Sequence, residues 1–248
     1  MAGAEVLGRL SWLEATVVSK RQETPRVCSI VFDCPMWDGH MAGQHVDIRL
    51  TAEDGYQAQR SYSIASAPED DQLVLTIEKL QDGEVSPYLF DVLEPGDVLE
   101  MRGPIGRYFV WEAGMGGPVL MIAGGSGVVP FRAMVRHRAS IGAITPFRLL
   151  YSARTIDDVI YRSELEGASH SGVDVTLTLT REQPSGWAGL ARRIDAEMLA
   201  ETAWPADRHP QIYVCGPTAF VEVAANCLVE LGHDMVSIRT ERFGPSGG

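Results

Sequence analysis

The sequence predicts a β plus α/β chain, with a small antiparallel β-barrel followed by a doubly wound parallel sheet. Three observations carry this. As far as about Trp111 the chain is a series of strand-length apolar runs broken by Gly, Pro and Asp, a regular spacing that suits a small barrel. From Pro118 onward the rhythm changes to strand, loop, helix, as a parallel sheet with crossover helices requires. Between them, Glu112-Ala113-Gly114-Met115-Gly116-Gly117 reads as a flexible joint. Two domains are expected, 1–113 and 114–248, and 248 residues suffice to give each a core.

In the first half the strand-length runs are Ala15–Ser19, Val27–Phe32, His45–Leu50, Leu73–Ile77 and Val98–Met101. Arg60-Ser61-Tyr62-Ser63-Ile64 adds an extended run whose alternation puts Arg60 and Tyr62 on one face. Alone, that pair would suit many strands. Together its members offer a rigid fork for phosphate oxygens and a stacking plane, and Ser63 adds a rotatable hydroxyl for a ring nitrogen, the three features of a flavin nucleotide. Ser86-Pro87 predicts a helix start, with Ser86 as N-cap and Pro87 at the first helical position. Outward amides there favour anions, although most such starts bind nothing. Gly103-Pro104-Ile105-Gly106 is read as a turn.

In the second half Val119–Ala123 is a continuous apolar run, as a strand covered on both faces should be. It feeds Gly124-Gly125-Ser126-Gly127-Val128-Val129-Pro130 and a helix to about Ile141 with Phe131, Met134 and Val135 on its apolar stripe. Further strands are expected at Phe147–Tyr151, Val173–Thr180, Gln211–Cys215 and Val236–Thr240, with helices near Tyr161–Ser169, Ile194–Glu201 and Thr218–Leu231. The glycine run lets amides approach a pyrophosphate, but it departs from the usual dinucleotide fingerprint because Pro130 stands where the third glycine or alanine would be. Cys215-Gly216-Pro217-Thr218 ends a strand at the edge where ligands bind such sheets; without context it is a buried cysteine before a turn.

A net charge of −12 excludes general binding to nucleic acid or anionic membranes. Cys28, Cys34, Cys215 and Cys227 are spaced for neither a zinc site nor an iron–sulfur run, so no metal is expected on this chain. No charged-then-apolar leader and no apolar run near the ~18 residues of a membrane span are visible, so the expectation is a cytoplasmic protein with reduced thiols.

With these motifs on view, the sequence resembles the ferredoxin-NADP reductase superfamily from about Ala15 to Pro245. Arg60-Ser61-Tyr62-Ser63 is similar to that family's Arg-x-Tyr-Ser flavin motif, and Gly125-Ser126-Gly127-Val128-Val129-Pro130 to its Gly-x-Gly-x-x-Pro loop. The resemblance implies a six-stranded Greek-key barrel and a five-stranded parallel sheet. It implies that Arg60 meets the FAD pyrophosphate, Tyr62 the isoalloxazine and Ser63 the nitrogen that receives hydride. Gly83, Val85 and Ser86 would lay amides on the same pyrophosphate; Gly125, Gly127, Val128 and Pro130 would hold the nicotinamide nucleotide, and Cys215, Gly216 and Pro217 would flank its ring. Cys215 is read as a positioning contact, since no histidine is paired with it in a matching motif. Glu241-Arg242-Phe243 resembles the ending of flavohaemoglobin and oxygenase reductases, where an aromatic covers the flavin; Phe243 could equally pack into the core.

The activity this implies is an NAD(P)H reductase that passes hydride to FAD and single electrons to a ferredoxin or oxygenase-type iron–sulfur partner, with Ser63, Cys215 and Glu241 nearest the chemistry. A monomer is expected. The rivals are a reductase of small molecules such as ferric siderophores, a flavin subunit of a larger electron-transfer complex, and a protein that keeps the fold for binding alone, against which the presence of both motifs argues. Arg154, just past the second parallel strand, with Arg181 and Arg193, favours NADPH over NADH, while Asp157 and Asp158 weigh the other way. Arg132, Arg136 and Arg138, with Arg102 and Arg107, are expected to form a basic patch for an acidic ferredoxin.

Overall fold

The computed structural model describes residues 10–168 and 172–244; the expected helix end at Ser169 and Pro245 of the closing run lie outside them. The first half forms one antiparallel sheet of β1 (Leu13–Thr24), β2 (Val27–Asp33), β3 (His45–Thr51), β4 (Gln57–Ser63), β5 (Leu73–Glu78) and β6 (Val98–Ile105). The strand order is β4-β3-β6-β1-β2-β5. Alternating residues such as Ala15, Ile30, Val46, Leu75 and Met101 fill its interior. Ile64, just past β4, bridges Leu75 of β5, so the two edges of the sheet curl together and the barrel expected from the sequence is present.

The helix start at Ser86 is a correction. The Ser86 hydroxyl does not cap the helix; it accepts the amide of Leu80 at 3.1 Å, and the turn that follows, Tyr88–Val92, is a π-helix without a side-chain cap. The nearer, preceding loop wins the hydroxyl.

The second half is a five-stranded parallel sheet of β7 (Val119–Gly124), β8 (Phe147–Ala153), β9 (Val173–Leu179), β10 (Gln211–Pro217) and β11 (Ile238–Phe243) in the order β11-β10-β7-β8-β9. Its helices are α1 (Val129–Ser140), α2 (Arg162–Gly167), α3 (Ala196–Thr202) and α4 (Thr218–Glu230). Every residue of β7 is buried, which explains its unbroken apolar run. The chain runs from β7 outward to β8 and β9, then returns to β7's other side as β10. The carboxyl ends of β7 and β10 therefore flank the switch point. The last strand starts later than expected because the Asp234 carboxylate accepts the Val236 amide at 3.0 Å and holds Met235–Ser237 in a turn; pairing then reaches Phe243, opposite Pro217.

The expected flexible joint is a fixed turn. Gly116 and Gly117 adopt φ of 72° and 69°, but Trp111 before them is buried edge-on against Phe147 at 4.8 Å, and the Tyr213 hydroxyl donates to the Val110 carbonyl at 2.8 Å. One buried cluster crosses the junction, joining Val27, Ala42 and Ala65 of the barrel to Phe109, Met121 and Phe131.

The expected basic patch does not form. Arg132 donates through Nε and Nη2 to Glu164, both at 2.8 Å, and through Nη1 to the Ala65 carbonyl at 3.0 Å. Arg136 donates to Asp70 at 3.0 and 2.6 Å, and Arg102 to Asp47 at 2.7 Å. Arg138 is buried and donates to the Thr145 carbonyl at 2.6 Å. Arg132 and Arg136 thus tie α1 to the barrel, Arg138 and Arg102 are engaged within their own halves, and of the five only Arg107 is exposed without a partner among the described residues.

Candidate active site

On β4, Arg60 lies opposite Ile48, Tyr62 opposite Val46 and Ser63 opposite His45. Tyr62 packs half-buried against the barrel core, and burial pushes its phenol above the ordinary tyrosine value. Neither its hydroxyl nor that of Ser63 has a hydrogen-bond partner among the described residues, so both are available to a ligand. Ser61 is committed elsewhere, donating to Asp47 at 2.6 Å. The Arg60 fork donates to the Gln59 carbonyl at 2.7 Å and to Glu84 at 3.2 Å. Glu84 thus brings the Gly83–Ser86 loop, anchored by the fully buried Val85, beneath Arg60. The two anion-binding elements expected from the sequence are brought together, with an exposed carboxylate holding the place between them.

At the switch point the glycine loop leans on the end of β10. A Cβ on Gly127 would fall 2.1 Å from the Cys215 carbonyl oxygen, and one on Gly216 would fall 2.8 Å from the Phe220 ring, so only glycine allows this approach. Gly125 has a φ of +56°, and Val128 and Pro130 are buried behind it as α1 begins. The loop, Cys215–Pro217 and Phe243 therefore meet beside one cleft of about 180 Å³, whose walls also include Arg26, Glu78 and Arg154. Phe243 both faces this cleft and packs against the core. A larger hollow of about 1090 Å³, on the barrel at Trp12, His40 and Gln44, is lined by none of the expected cofactor-site residues, although Arg102 and Arg107 of the expected basic patch are on its wall.

Burial pushes the Cys215 thiol well above its usual value, so at neutral pH it is a protonated, apolar contact. Its neighbour across the β10–β11 ladder is Glu241, whose carboxyl burial pushes up to about 8. Glu241 stands 3.9 Å from Nδ1 of His45, which burial holds below the ordinary histidine value. His45 is in turn the strand partner of Ser63. A line Ser63, His45, Glu241, Cys215 thus joins the barrel shelf to the sheet cleft, with burial disfavouring the charged form of each titratable member.

Arg154 and Arg181 stand past the carboxyl ends of β8 and β9, tied by the Arg181 amide donating to the Arg154 carbonyl at 2.9 Å. Arg193 follows Arg192, whose carbonyl accepts the Thr178 hydroxyl of β9 at 2.5 Å. All three side chains are exposed, and none has an ion-pair, hydrogen-bond or ring partner among the described residues, a state shared only by Arg107. Asp158, held in a capping box with Thr155, lines the cleft beside Arg154 and makes no contact with its guanidinium among the described residues. Sequence reasoning missed Arg26, Glu78 and His45, which sit on ordinary barrel elements with no motif to mark them.

Comparison with known proteins agrees with this geometry. The Oxidoreductase FAD-binding domain matches residues 14–110 and the Oxidoreductase NAD-binding domain residues 121–226. The chain is 33% identical over 240 residues to "Ferredoxin--NADP reductase B" of Sorangium cellulosum, covering 93% of this chain and 97% of that protein. It is 34% identical over 230 residues to the "Glycine betaine monooxygenase reductase subunit" of Chromohalobacter salexigens, covering 90% of this chain but only 62% of the relative, so it spans about three-fifths of that subunit's length. Among solved structures, the FAD/NAD binding domain of nitric oxide dioxygenase from Vibrio cholerae superposes with a TM-score of 0.83 at 25% identity, over 94% of this chain and 99% of that one. Matches to the FAD-binding and NAD-binding domain models on the barrel and the parallel sheet, with a near full-length relative at this identity, show that the chain belongs to the ferredoxin-NADP reductase superfamily.

Proposed function

We propose that this protein is an FAD-dependent NAD(P)H reductase that prefers NADPH and delivers single electrons to a ferredoxin or an oxygenase-type iron–sulfur protein. The observation that carries the reading is the meeting, across one domain junction, of the Tyr62–Ser63 shelf with the glycine loop and Cys215 through His45 and Glu241. FAD supplies, when bound, acceptance of a hydride and its release as single electrons. The chain's own residues bind and orient. The 1–113 domain would hold FAD: Arg60, with the amides of Val85 and Ser86, takes the pyrophosphate, displacing Glu84 from the Arg60 fork, while the Gly83 amide, donated to the Leu80 carbonyl at 3.0 Å, shapes the loop. Tyr62 offers a stacking face, Ser63 a free hydroxyl, and Phe243 closes the cleft from the sheet side. The 114–248 domain would hold the nicotinamide nucleotide: Gly125, Gly127, Val128 and Pro130 form its cradle, while Cys215, Gly216 and Pro217 position its ring without ionising.

Arg154, Arg181 and Arg193 support NADPH. Leaving three guanidinium groups without partners on a chain of net charge −12, with carboxylates plentiful, makes sense when a dianion completes them. The relatives named as reductases of ferredoxin and of a monooxygenase support the acceptor class. In this reading the protein works as a monomer in the cytoplasm, a compartment in keeping with its four free cysteines. Heat release of the flavin, its identification by chromatography, and anaerobic addition of NADPH or NADH while following the visible spectrum test all of this. FAD and faster bleaching by NADPH are expected. A colourless protein that takes up no FAD, or recovery of FMN alone, would overturn it.

A further inference from the structure

Resting on that reading, we propose that Arg26, contributed by the barrel, is the cation that binds the pyrophosphate of the nicotinamide nucleotide. A diphosphate laid on the glycine loop meets amides but no charge from the loop itself, since Gly124–Val129 contains no cation. Two cations line the cleft, Arg26 and Arg154, and Arg154 stands with Arg181 beyond the ends of β8 and β9. Arg26 lies between the loop and that group. Its Nη2 is 3.9 Å from Glu78, which accepts the Ser126 hydroxyl of the loop at 2.7 Å, and 3.5 Å from Asp158, four residues beyond Arg154.

These contacts are those of a side chain with somewhere else to go. Arg132 and Arg136 grip their carboxylates through two nitrogens at 2.6–3.0 Å, whereas Arg26 makes long contacts through a single nitrogen and its side chain is 45% exposed. Neither carboxylate depends on it: Glu78 Oε2 holds Ser126, and Asp158 Oδ2 holds the Thr155 hydroxyl at 2.9 Å. The Arg26 backbone is fixed, its carbonyl accepting the Lys79 amide at 2.8 Å. A fixed backbone with a loosely held guanidinium is suited to exchange two distant carboxylates for a bidentate phosphate contact without disturbing the barrel. Because that contact would tie a barrel residue to a nucleotide lying on the sheet, it would also fix the nicotinamide end against the domain junction.

The pyrophosphate is common to both coenzymes and the extra phosphate is not, so Arg26 and Arg154 have separable signatures. The test is calorimetric titration of the FAD-loaded protein with NADP+, NAD+ and 2′-AMP, which carries the 2′-phosphate alone. Arg26→Ala should weaken NADP+ and NAD+ alike, by about tenfold or more, and leave 2′-AMP binding and the melting temperature unchanged. Arg26→Lys should recover part of the loss. Asp158→Asn, which keeps the capping oxygen and frees Arg26, should bind both coenzymes at least as tightly as the wild type. Unchanged NADP+ and NAD+ affinities in Arg26→Ala would overturn the assignment. So would Asp158→Asn weakening both coenzymes as Arg26→Ala does, since that result would make the pair a brace between domains. Wild-type protein that binds FAD but neither coenzyme would overturn the functional reading itself.

Discussion

Two groups of three arginines stand in the second half of this chain, and they differ in everything but residue type. Arg132, Arg136 and Arg138 on α1 are all engaged, with Glu164 and the Ala65 carbonyl, with Asp70, and with the Thr145 carbonyl. Arg154, Arg181 and Arg193, around the carboxyl ends of β8 and β9, have no partner among the described residues. A guanidinium already holding two or three oxygens has spent its geometry on the fold and has little left for a ligand. One that holds none keeps all its donors free for a ligand. The difference teaches that on an acidic protein the informative cations are those that remain unpaired, and that their position along the sheet says what they await.

The largest effect expected from breaking this contrast is on stability, in the first group. Arg132 is mostly buried, stacks over the Tyr161 ring at 4.9 Å and bonds across the domain junction. Arg132→Ala should leave the Ala65 carbonyl and Glu164 without their donors and cost about 2–3 kcal/mol. For a chain of this size that lowers the melting temperature by roughly 5–10 °C. Calorimetry of the FAD-loaded protein measures it. A melting temperature within about 1 °C of the wild type would mean that α1 is not glued to the barrel through this residue.

How much of this was legible in the sequence follows from what each residue's role depends on. The parallel strands announced themselves because a strand buried on both faces must be apolar throughout, as β7 is. The glycine loop was legible because close approach excludes side chains, and Gly127 lies where a Cβ would strike the Cys215 carbonyl. Roles decided by a single distant neighbour were not legible. Nothing local to Ser86 tells that Leu80 takes its hydroxyl, and nothing local to Arg136 tells that Asp70 waits across the junction. Arg26 escaped for the same reason: it closes an ordinary barrel turn, and only the fold shows which cleft that turn overhangs.

The second effect falls on binding, in the other group. Arg154→Ala should weaken NADP+ by about 1.5–3 kcal/mol, around tenfold or more, while leaving NAD+ affinity and the melting temperature as they were. The same substitution in the α1 group would show the reverse, stability lost and both coenzymes equally affected. Equal weakening of NADP+ and NAD+ by Arg154→Ala would erase the contrast between the two groups. It would also remove the case for a site built around the extra phosphate.

The smallest effect is the pH dependence of one pair. Burial alone would raise the Asp70 carboxyl, but hydrogen bonds from Arg136 and from the Ala67 amide outweigh it and hold the group below its ordinary value. A carboxylate held low binds its proton later in the folded state than in the unfolded one. Its contribution is therefore complete above the ordinary carboxylate value of ~3.9 and is lost as the pH falls through the lower, folded-state value. Both side chains keep some solvent contact, which limits the pair to roughly 1 kcal/mol. Arg136→Ala removes the largest opposing bonds, so burial is left to raise Asp70, and the loss of stability between about pH 5 and 3 should become shallower than in the wild type. Arg154→Ala, with no carboxylate to release, should leave that acid limb superimposable on the wild type. Urea denaturation across this range reads the slopes directly. An acid limb changed equally by both substitutions, or by neither, would show that the engaged and the free arginines do not differ in the way their surroundings indicate.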